Sequence, residues 1–296
     1  MGKERVMSTW GIIVNPTAGG GKCQKKSSLL VKKLRRENVN FIIKYTKYKG
    51  HACVLAKKYI DKGINKIMIV GGDGTVNEII RTVKDEPIIL GILPMGTGND
   101  FARSLGISMN WKKALQKILK EQIKFVDLGY INGVPFTNIA GLGFDVEVLK
   151  HCLNIKKVIG GIGAYLIALI NSLANFRKYN IIIENQNVKN KFCANIIAIG
   201  NGTHYAGGIN ITPLARMNDG LFDVCIIHDM KIQNFLKLLP RIIAGKHINS
   251  PYVQYYKTQK LYINTTIPLD VQLDGELLCK TPIEAFVEKR KLRICL

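Results

Sequence analysis

The sequence predicts two halves of different class: an α/β domain on a mostly parallel sheet, then a β-rich, sandwich-like domain. Three observations carry this. Up to about residue 127, short apolar runs alternate with amphipathic helical stretches, the pattern of strands covered by helices on both faces. Beyond it, short runs separated by polar turns take over. The chain of 296 residues is long for one domain and comfortable for two.

In the first half, TWGIIVNP (9–16) reads as a buried strand that stops at a proline turn. Residues 23–38 have helical spacing at Leu29, Leu30 and Leu34, with a basic outer face. NFIIKYT (40–46) is a strand, and GHACVLAKKYIDKG (50–63) is a helix that Gly63 can stop. INKIMIV (64–70) is a strand, TVNEIIRTVKD (75–85) a helix and 88–94 a strand, followed by shorter helices near 99–105 and 111–121. The order is Rossmann-like, yet neither a Walker A loop nor the G-x-G-x-x-G dinucleotide fingerprint is present. Ligands of such sheets bind beyond the carboxyl ends of the strands. Three strands here run into Gly/Asn-rich loops: NPTAGGGK (15–22), GGDGTVNE (71–78) and PMGTGND (94–100). Together they point to a phosphate-binding edge. Its donors would be backbone N–H groups, Thr75, Thr97 and helix N-termini at 75 and 99, with Lys22 a further source of positive charge.

In the second half, Asn132-Gly133 between two strand-like runs, within 127–148, is a type I′ hairpin signal. Residues 179–202 read as a second hairpin, and 220–229, 259–266 and 269–276 as further short strands. Residues 231–247 form an inserted basic helix. The uncharged run 158–176 approaches the length of a bilayer span, roughly 20 residues. Its glycines, Asn171, Ser172 and Asn175 make a mostly buried helix the better reading. No repeat, low-complexity tract or flexible linker is evident.

The charge is +22, from 43 basic and 21 acidic residues. Such a surface attracts nucleic acid, anionic lipid or phosphorylated ligands, or it reflects a Lys-rich composition with no specific partner. No helix-turn-helix, zinc or RNA-binding signature accompanies it, so no specific nucleic-acid partner is expected. Seven widely spaced cysteines without C-x-x-C argue against a disulfide framework or zinc site and favour a reducing cytosol. The first residues hold no apolar signal core, and Val6 stands where a myristoylation signal needs Ser or Thr.

NPTAGGGK, GGDGTVNE, PMGTGNDFARSLGI, GNGTHYAGGINITPLARMNDGLFDV and LDGE, in this order and nearly end to end, give the chain a resemblance to the diacylglycerol kinase-like lipid kinases. That group includes bacterial soluble diacylglycerol kinases and the catalytic domains of sphingosine and ceramide kinases. GGDGT alone is shared with NAD kinases; GTGNDFARSLG followed by the Asp-Gly-Leu and Asp-Gly-Glu motifs is more specific. The resemblance implies a nucleotide-binding α/β domain over 1–127, with a tail 282–296 packing back on it. It implies a lipid-substrate domain over 128–281 and an active site in the cleft between the domains. It implies ATP as co-substrate, with Asn15, Pro16, Thr17, Ala18 and Gly19 approaching the nucleotide and Thr46 on its other side. Gly71, Gly72, Asp73, Gly74, Thr75, Val76 and Asn77 would cradle phosphate and ribose, Asp73 lying near ATP and its Mg²⁺, and Thr97 would bind phosphate. A structural Mg²⁺ would rest on the Asp219 side chain and the carbonyls of Arg216 and Leu221, with Asn218 standing where an acid is common.

The resemblance also makes Asp274 and Glu276 an acid pair, one the general base and the other orienting it or binding Mg²⁺. Read alone, LDGE is equally an Asp-Gly hairpin turn with a solvent-facing Glu. The activity implied is transfer of the γ-phosphate of ATP to a membrane lipid, diacylglycerol foremost. Another lipid alcohol, a soluble substrate such as NAD, or a non-catalytic binding role are the alternatives. The location implied is cytoplasmic, on the inner face of an anionic plasma membrane, with surface Lys and Arg contributing about 1 kcal/mol each near the bilayer. Edge strands of the second half could pair into a homodimer.

Overall fold

The computed structural model describes residues 9–155, 162–185 and 188–296, with side chains left out over 162–166. The chain forms two compact units. The first holds the chain up to Ala102, then Gly106–Val126 and Lys291–Leu296; the second holds Arg103–Leu105 and Asp127–Arg290.

The first unit alternates strand and helix: β1 (Trp10–Val14), α1 (Lys22–Arg36), β2 (Phe41–Tyr45), α2 (His51–Ile60), β3 (Lys66–Gly71), α3 (Asp73–Val83), β4 (Ile89–Pro94), α4 (Asp100–Ser104, its last two residues in the second unit) and α5 (Trp111–Leu119). Strands β2, β1, β3 and β4 pair in parallel in that order, and C-terminal residues Arg293 and Ile294 add a parallel edge beside β4. A sheet covered on both faces has no solvent side, which is why β1 and β3 are buried at every position and do not alternate. One of its cores joins Trp10, Ile12, Met68, Val70 and Leu93 to Leu30 and Leu34 of α1 and Leu115 and Ile118 of α5.

The chain enters the second unit along β5 (Ile123–Ile131) and continues with β6 (Val134–Phe136), β7 (Ile139–Gly143), α6 (Phe144–Ile155), α7 (Ile162–Ser172), β8 (Tyr179–Asn185) and β9 (Val188–Gly200). Then come β10 (Phe222–His228), α8 (Ile232–Ile243), β11 (Val253–Thr258), β12 (Lys260–Thr265), β13 (Asp270–Leu273), β14 (Glu276–Lys280) and β15 (Ile283–Cys295), which leaves the unit at Lys291. Antiparallel neighbours run β14–β13–β7–β9–β8–β12–β15, while β9 also pairs β10, and β10 pairs β11. Successive strand residues point to opposite faces. Ile197, Ile199, Val224 and Ile226 therefore join a sheet-on-sheet core with Leu261, Ile263 and Ile283. Their neighbours Ile196, Ala198, Cys225 and Ile227 pack instead under Phe144 of α6, Leu169 of α7 and Phe235, Leu238 and Ile242 of α8.

One expectation changes. The strand-like run ending at 148 breaks at Gly143, and α6 starts at Phe144. Gly143 has φ 104°, and a Cβ there would lie 2.3 Å from the Asn195 carbonyl oxygen, so the chain turns where no other residue fits. Asp145 and Glu147 then sit in the first helical turn, where carboxylates suit the helix dipole. Of the run 158–176, residues 158–161 and the side chains of 162–166 lie outside the described residues; in the rest of α7 Ala168, Leu169 and Ser172 are buried whereas Ile167 and Ile170 face solvent. No helix among the described residues is long and apolar enough to cross a membrane.

Asp127 ties the second unit at its entry. Its carboxylate accepts from Gly220 N (2.7 Å) and Arg290 N (2.8 Å), and its own N–H donates to the Met217 carbonyl (2.7 Å). Asp127→Asn sets an amide N–H against one of those backbone donors. The unfolding free energy in urea titration is expected to fall by about 1–3 kcal/mol.

Candidate active site

The loops after β1, β3 and β4 meet at the carboxyl edge of the parallel sheet. Asn15 Nδ2 donates to Thr75 Oγ1 (2.9 Å), while Asn15 Oδ1 accepts from Thr17 N (3.2 Å) and Thr17 Oγ1 (2.9 Å). The Gly71 carbonyl accepts from Met95 N (2.8 Å) and Gly96 N (3.1 Å). Gly72 and Gly96 touch through their backbones: a Cβ on Gly96 would lie 2.4 Å from Gly72 Cα, and a Cβ on Gly19 would lie 2.5 Å from the Met95 carbonyl oxygen. Only glycine permits these approaches. Thr75 N (3.0 Å) and Val76 N (3.1 Å) donate to the Gly72 carbonyl, and Gly74 in the first turn of α3 has open space where a side chain would stand. Free N–H groups at a helix start bind anions.

Asp73 makes a tertiary contact of its own. Its carboxylate accepts from Phe101 N (3.2 Å) at the start of α4. Burial pushes its pKa above the ordinary Asp value, and backbone N–H groups at Phe101, Asn99, Asp73 and Asp100 pull it back. Asp73 thus fastens the β3–α3 turn to the β4–α4 turn. Gly71, Thr75, Val76 and Asn77 are buried supports; Thr17, Gly74 and Thr97 are exposed; Asn15, Pro16, Ala18, Gly19, Thr46, Gly72 and Asp73 are partly exposed.

In the second unit, Asp274 (φ 51°) and Gly275 (φ 84°) form the two-residue turn between β13 and β14. The Asp274 carboxylate accepts from Thr137 N (2.6 Å), Thr137 Oγ1 (2.9 Å), Asn138 N (2.8 Å) and Ile139 N (3.1 Å). Burial raises its pKa against those donors. Glu276 follows at the start of β14 and is partly exposed. Gly275 N donates to Gln272 Oε1 (2.8 Å), and Gln272 Nε2 reaches Asp145 Oδ2 (3.5 Å). One buried side chain therefore links the turn to Asp145.

Asp145 stands in the wall of a cavity of about 170 Å³. Phe144, Val148, Leu169, Ile196, Phe235 and Leu239 are among its lining residues, together with the Tyr205–Ile209 segment. Asp145 Oδ1 is buried without a hydrogen-bond partner. Loss of hydration raises the Asp145 pKa to about 7, only partly offset by Gln272.

Residues 9–131 match the model of the diacylglycerol kinase catalytic domain, and residues 138–296 match the YegS C-terminal NAD kinase beta sandwich-like domain. The chain belongs to the diacylglycerol kinase-like lipid kinase family. It is 29% identical over 271 residues to a diacylglycerol kinase of Bacillus subtilis (strain 168), covering 90% of this chain and 88% of that one. A diacylglycerol kinase of Staphylococcus haemolyticus (strain JCSC1435) is 28% identical over 286 residues, with 96% and 87% covered. A crystal structure of a diacylglycerol kinase from Bacillus anthracis str. Sterne superposes with TM-score 0.76 at 25% identity, covering 99% of this chain and 98% of that one. The kinase is thus an ATP-dependent lipid kinase.

The metal-binding residues expected for the kinase fall on one turn. Asp219 Oδ1 accepts from Leu221 N (3.1 Å), and Asp219 N lies 3.5 Å from the Arg216 carbonyl. Lys257 Nζ is 2.7 Å from Asp219 Oδ2 and 3.5 Å from Asp223 Oδ2. No three His, Cys, Asp or Glu side chains group as a metal centre among the described residues. The donors are hard oxygens, as Mg²⁺ requires. Two carboxylates face one ammonium, with the Tyr255 hydroxyl also beside Asp223, so an added cation fits the charge. Sequence reasoning missed Thr137, Asn138, Gln272 and Asp145, which lie in apolar strand-like runs without a motif of their own.

Gly96→Ala is expected to lower the unfolding midpoint and abolish ATP binding, since backbone meets the new Cβ. Gly74→Ala should keep or raise stability, by up to about 1 kcal/mol in a helix, while weakening ATP binding; unchanged affinity would remove the phosphate from the α3 N-terminus. For Asp145, the folded chain holds a proton that the unfolded chain releases between the ordinary Asp value and about 7. Stability therefore falls as pH rises through that window. Asp145→Asn is expected to be the more stable protein above about pH 7, the difference closing toward about pH 4 in thermal unfolding.

Proposed function

We propose that the kinase transfers the γ-phosphate of ATP to the hydroxyl of diacylglycerol, giving phosphatidic acid at the cytoplasmic face of the membrane. The observation that carries this is the apolar cavity of the second unit, joined through Asp145 and Gln272 to the Asp274–Gly275 turn that presents Glu276. An acyl chain suits such a lining, and the one buried acid in it suits a polar group near the glycerol end.

In this reading Glu276 is the general base. Asp274 already accepts four hydrogen bonds and serves to orient the turn. Glu276 takes the hydroxyl proton as the acceptor oxygen bonds to the γ-phosphorus; the bond from that phosphorus to the β–γ bridging oxygen breaks, and ADP leaves. Asn15–Gly19, Thr46, Gly71–Asn77 and Thr97 are assigned to the nucleotide, with phosphate oxygens met by backbone N–H groups at the glycine contacts. Asp219, with the carbonyls of Arg216 and Leu221, would hold the structural Mg²⁺; bound there, the ion supplies positive charge that steadies the turn before β10.

Transfer of labelled γ-phosphate from Mg-ATP to a lipid panel tests the reading. Glu276→Gln is expected to lower kcat about 10²–10⁴-fold with the unfolding midpoint unchanged, whereas Asp274→Asn lowers both. Labelling of a sphingoid or polyprenyl alcohol, or of NAD, in place of diacylglycerol would replace the substrate. A fully active Glu276→Gln would remove the assigned base.

A further inference from the structure

We propose that the rim of the apolar cavity, formed by α7 and α8, is the face on which the kinase docks onto an anionic lipid bilayer; this rests on assigning the cavity to the substrate's acyl chain. Ile243 marks the mouth, because it lines the cavity and is still 44% exposed. Leu236, Leu239 and Ile243 recur at helical spacing along one side of α8, and Leu236 is also 44% exposed. Phe235, Leu238 and Ile242 take the inward side. A helix at the surface of a soluble unit usually buries one apolar stripe; α8 has two, and only the inward one is fully covered. On α7, Leu169 lines the cavity while Ile167 and Ile170 beside it are 39% and 66% exposed.

Charge selects the occupant. Lys231, Lys237, Arg241 and Lys246 are exposed along α8 and at its two ends, and the helix carries no acid. A second copy of the chain would set these positive charges against each other. Anionic headgroups neutralise them, and interfacial acyl chains accept the isoleucines and leucines. A lipid could then pass tail-first from the bilayer into the cavity without its chain crossing water.

Co-sedimentation with phosphatidylcholine vesicles and with phosphatidylcholine–phosphatidylglycerol vesicles tests this. The double variant Ile170→Ser/Leu236→Ser, neither residue lining the cavity, is expected to bind mixed vesicles about tenfold or more weakly, as the loss of two partitioning side chains implies. Its phosphorylation of a short-chain, water-dispersed diacylglycerol should match the parent. Lys237→Glu/Arg241→Glu should lose binding to the mixed vesicles specifically. The proposal is overturned if both variants keep the parent's vesicle affinity. It is equally overturned if Lys32→Gln/Arg36→Gln on α1 removes binding in their place, or if the double variant abolishes only self-association. Should the parent leave dispersed diacylglycerol unphosphorylated while the double variant still loses vesicle binding, the acyl-chain assignment fails and the docking face stands.

Discussion

A carboxylate surrounded by main-chain N–H groups fixes the acidic turn of the site. Asp274 accepts from three consecutive backbone donors, at Thr137, Asn138 and Ile139, and from the Thr137 hydroxyl. Those N–H groups lie where β6 gives way to β7; buried and left without an acceptor, each would cost about 1–3 kcal/mol. Charge-assisted bonds to one carboxylate satisfy all three. The position of Glu276, two residues on, follows from that clamp, because a two-residue turn with both φ values positive permits little alternative geometry. Asp127 and Asp73 repeat the device, the first at the entry to the second unit and the second between two loops of the first.

The first unit solves a different problem with glycine. A phosphate carries its charge on several oxygens, and a group of backbone N–H donors can meet them only if chain and ligand come close. Close approach between Gly72 and Gly96, and between Gly19 and Met95, packs three loops into the space that side chains would otherwise fill. The buried members Thr75, Val76 and Asn77 hold the start of α3 in place. Part of a glycine-rich motif is therefore scaffold, and only part remains accessible to a ligand.

Much of this was legible in the sequence, and the limits have physical causes. Non-alternating apolar runs announced the parallel strands because both faces of that sheet are covered. The Asn132-Gly133 and Asp274-Gly275 turns were legible because positive φ at successive residues leaves few residue types. The start of α6 was not: Phe144-Asp145-Val146-Glu147-Val148 alternates like a strand, and the backbone collision that ends β7 at Gly143 arises from Asn195, far away in sequence. The cavity was invisible for the same reason, since its walls come from α6, α7, β9, α8 and the segment near Tyr205. The orientation of Asp73 toward Phe101 likewise depends on a long-range contact that a local motif does not encode.

Gln272 holds Asp145 with its Nε2 and the Gly275 N–H with its Oε1, and on the proposed reading Asp145 and Glu276, on either side of this link, have environments that bear on product release. Asp145 faces an apolar cavity, and burial pushes its pKa up to about 7. A neutral ester and its chain enter such a space at little cost in desolvation, whereas a charged headgroup would lose hydration there without an ion partner. Glu276 sits partly exposed at the end of the turn, where a carboxylate keeps contact with water. Phosphorylation converts the neutral alcohol into an anion beside this carboxylate. The product is then less compatible with the site than the substrate was. The poor solvation of a phosphate beside the cavity favours its departure to the surrounding lipid, and Glu276 adds like-charge repulsion only after it has released the proton it took from the hydroxyl.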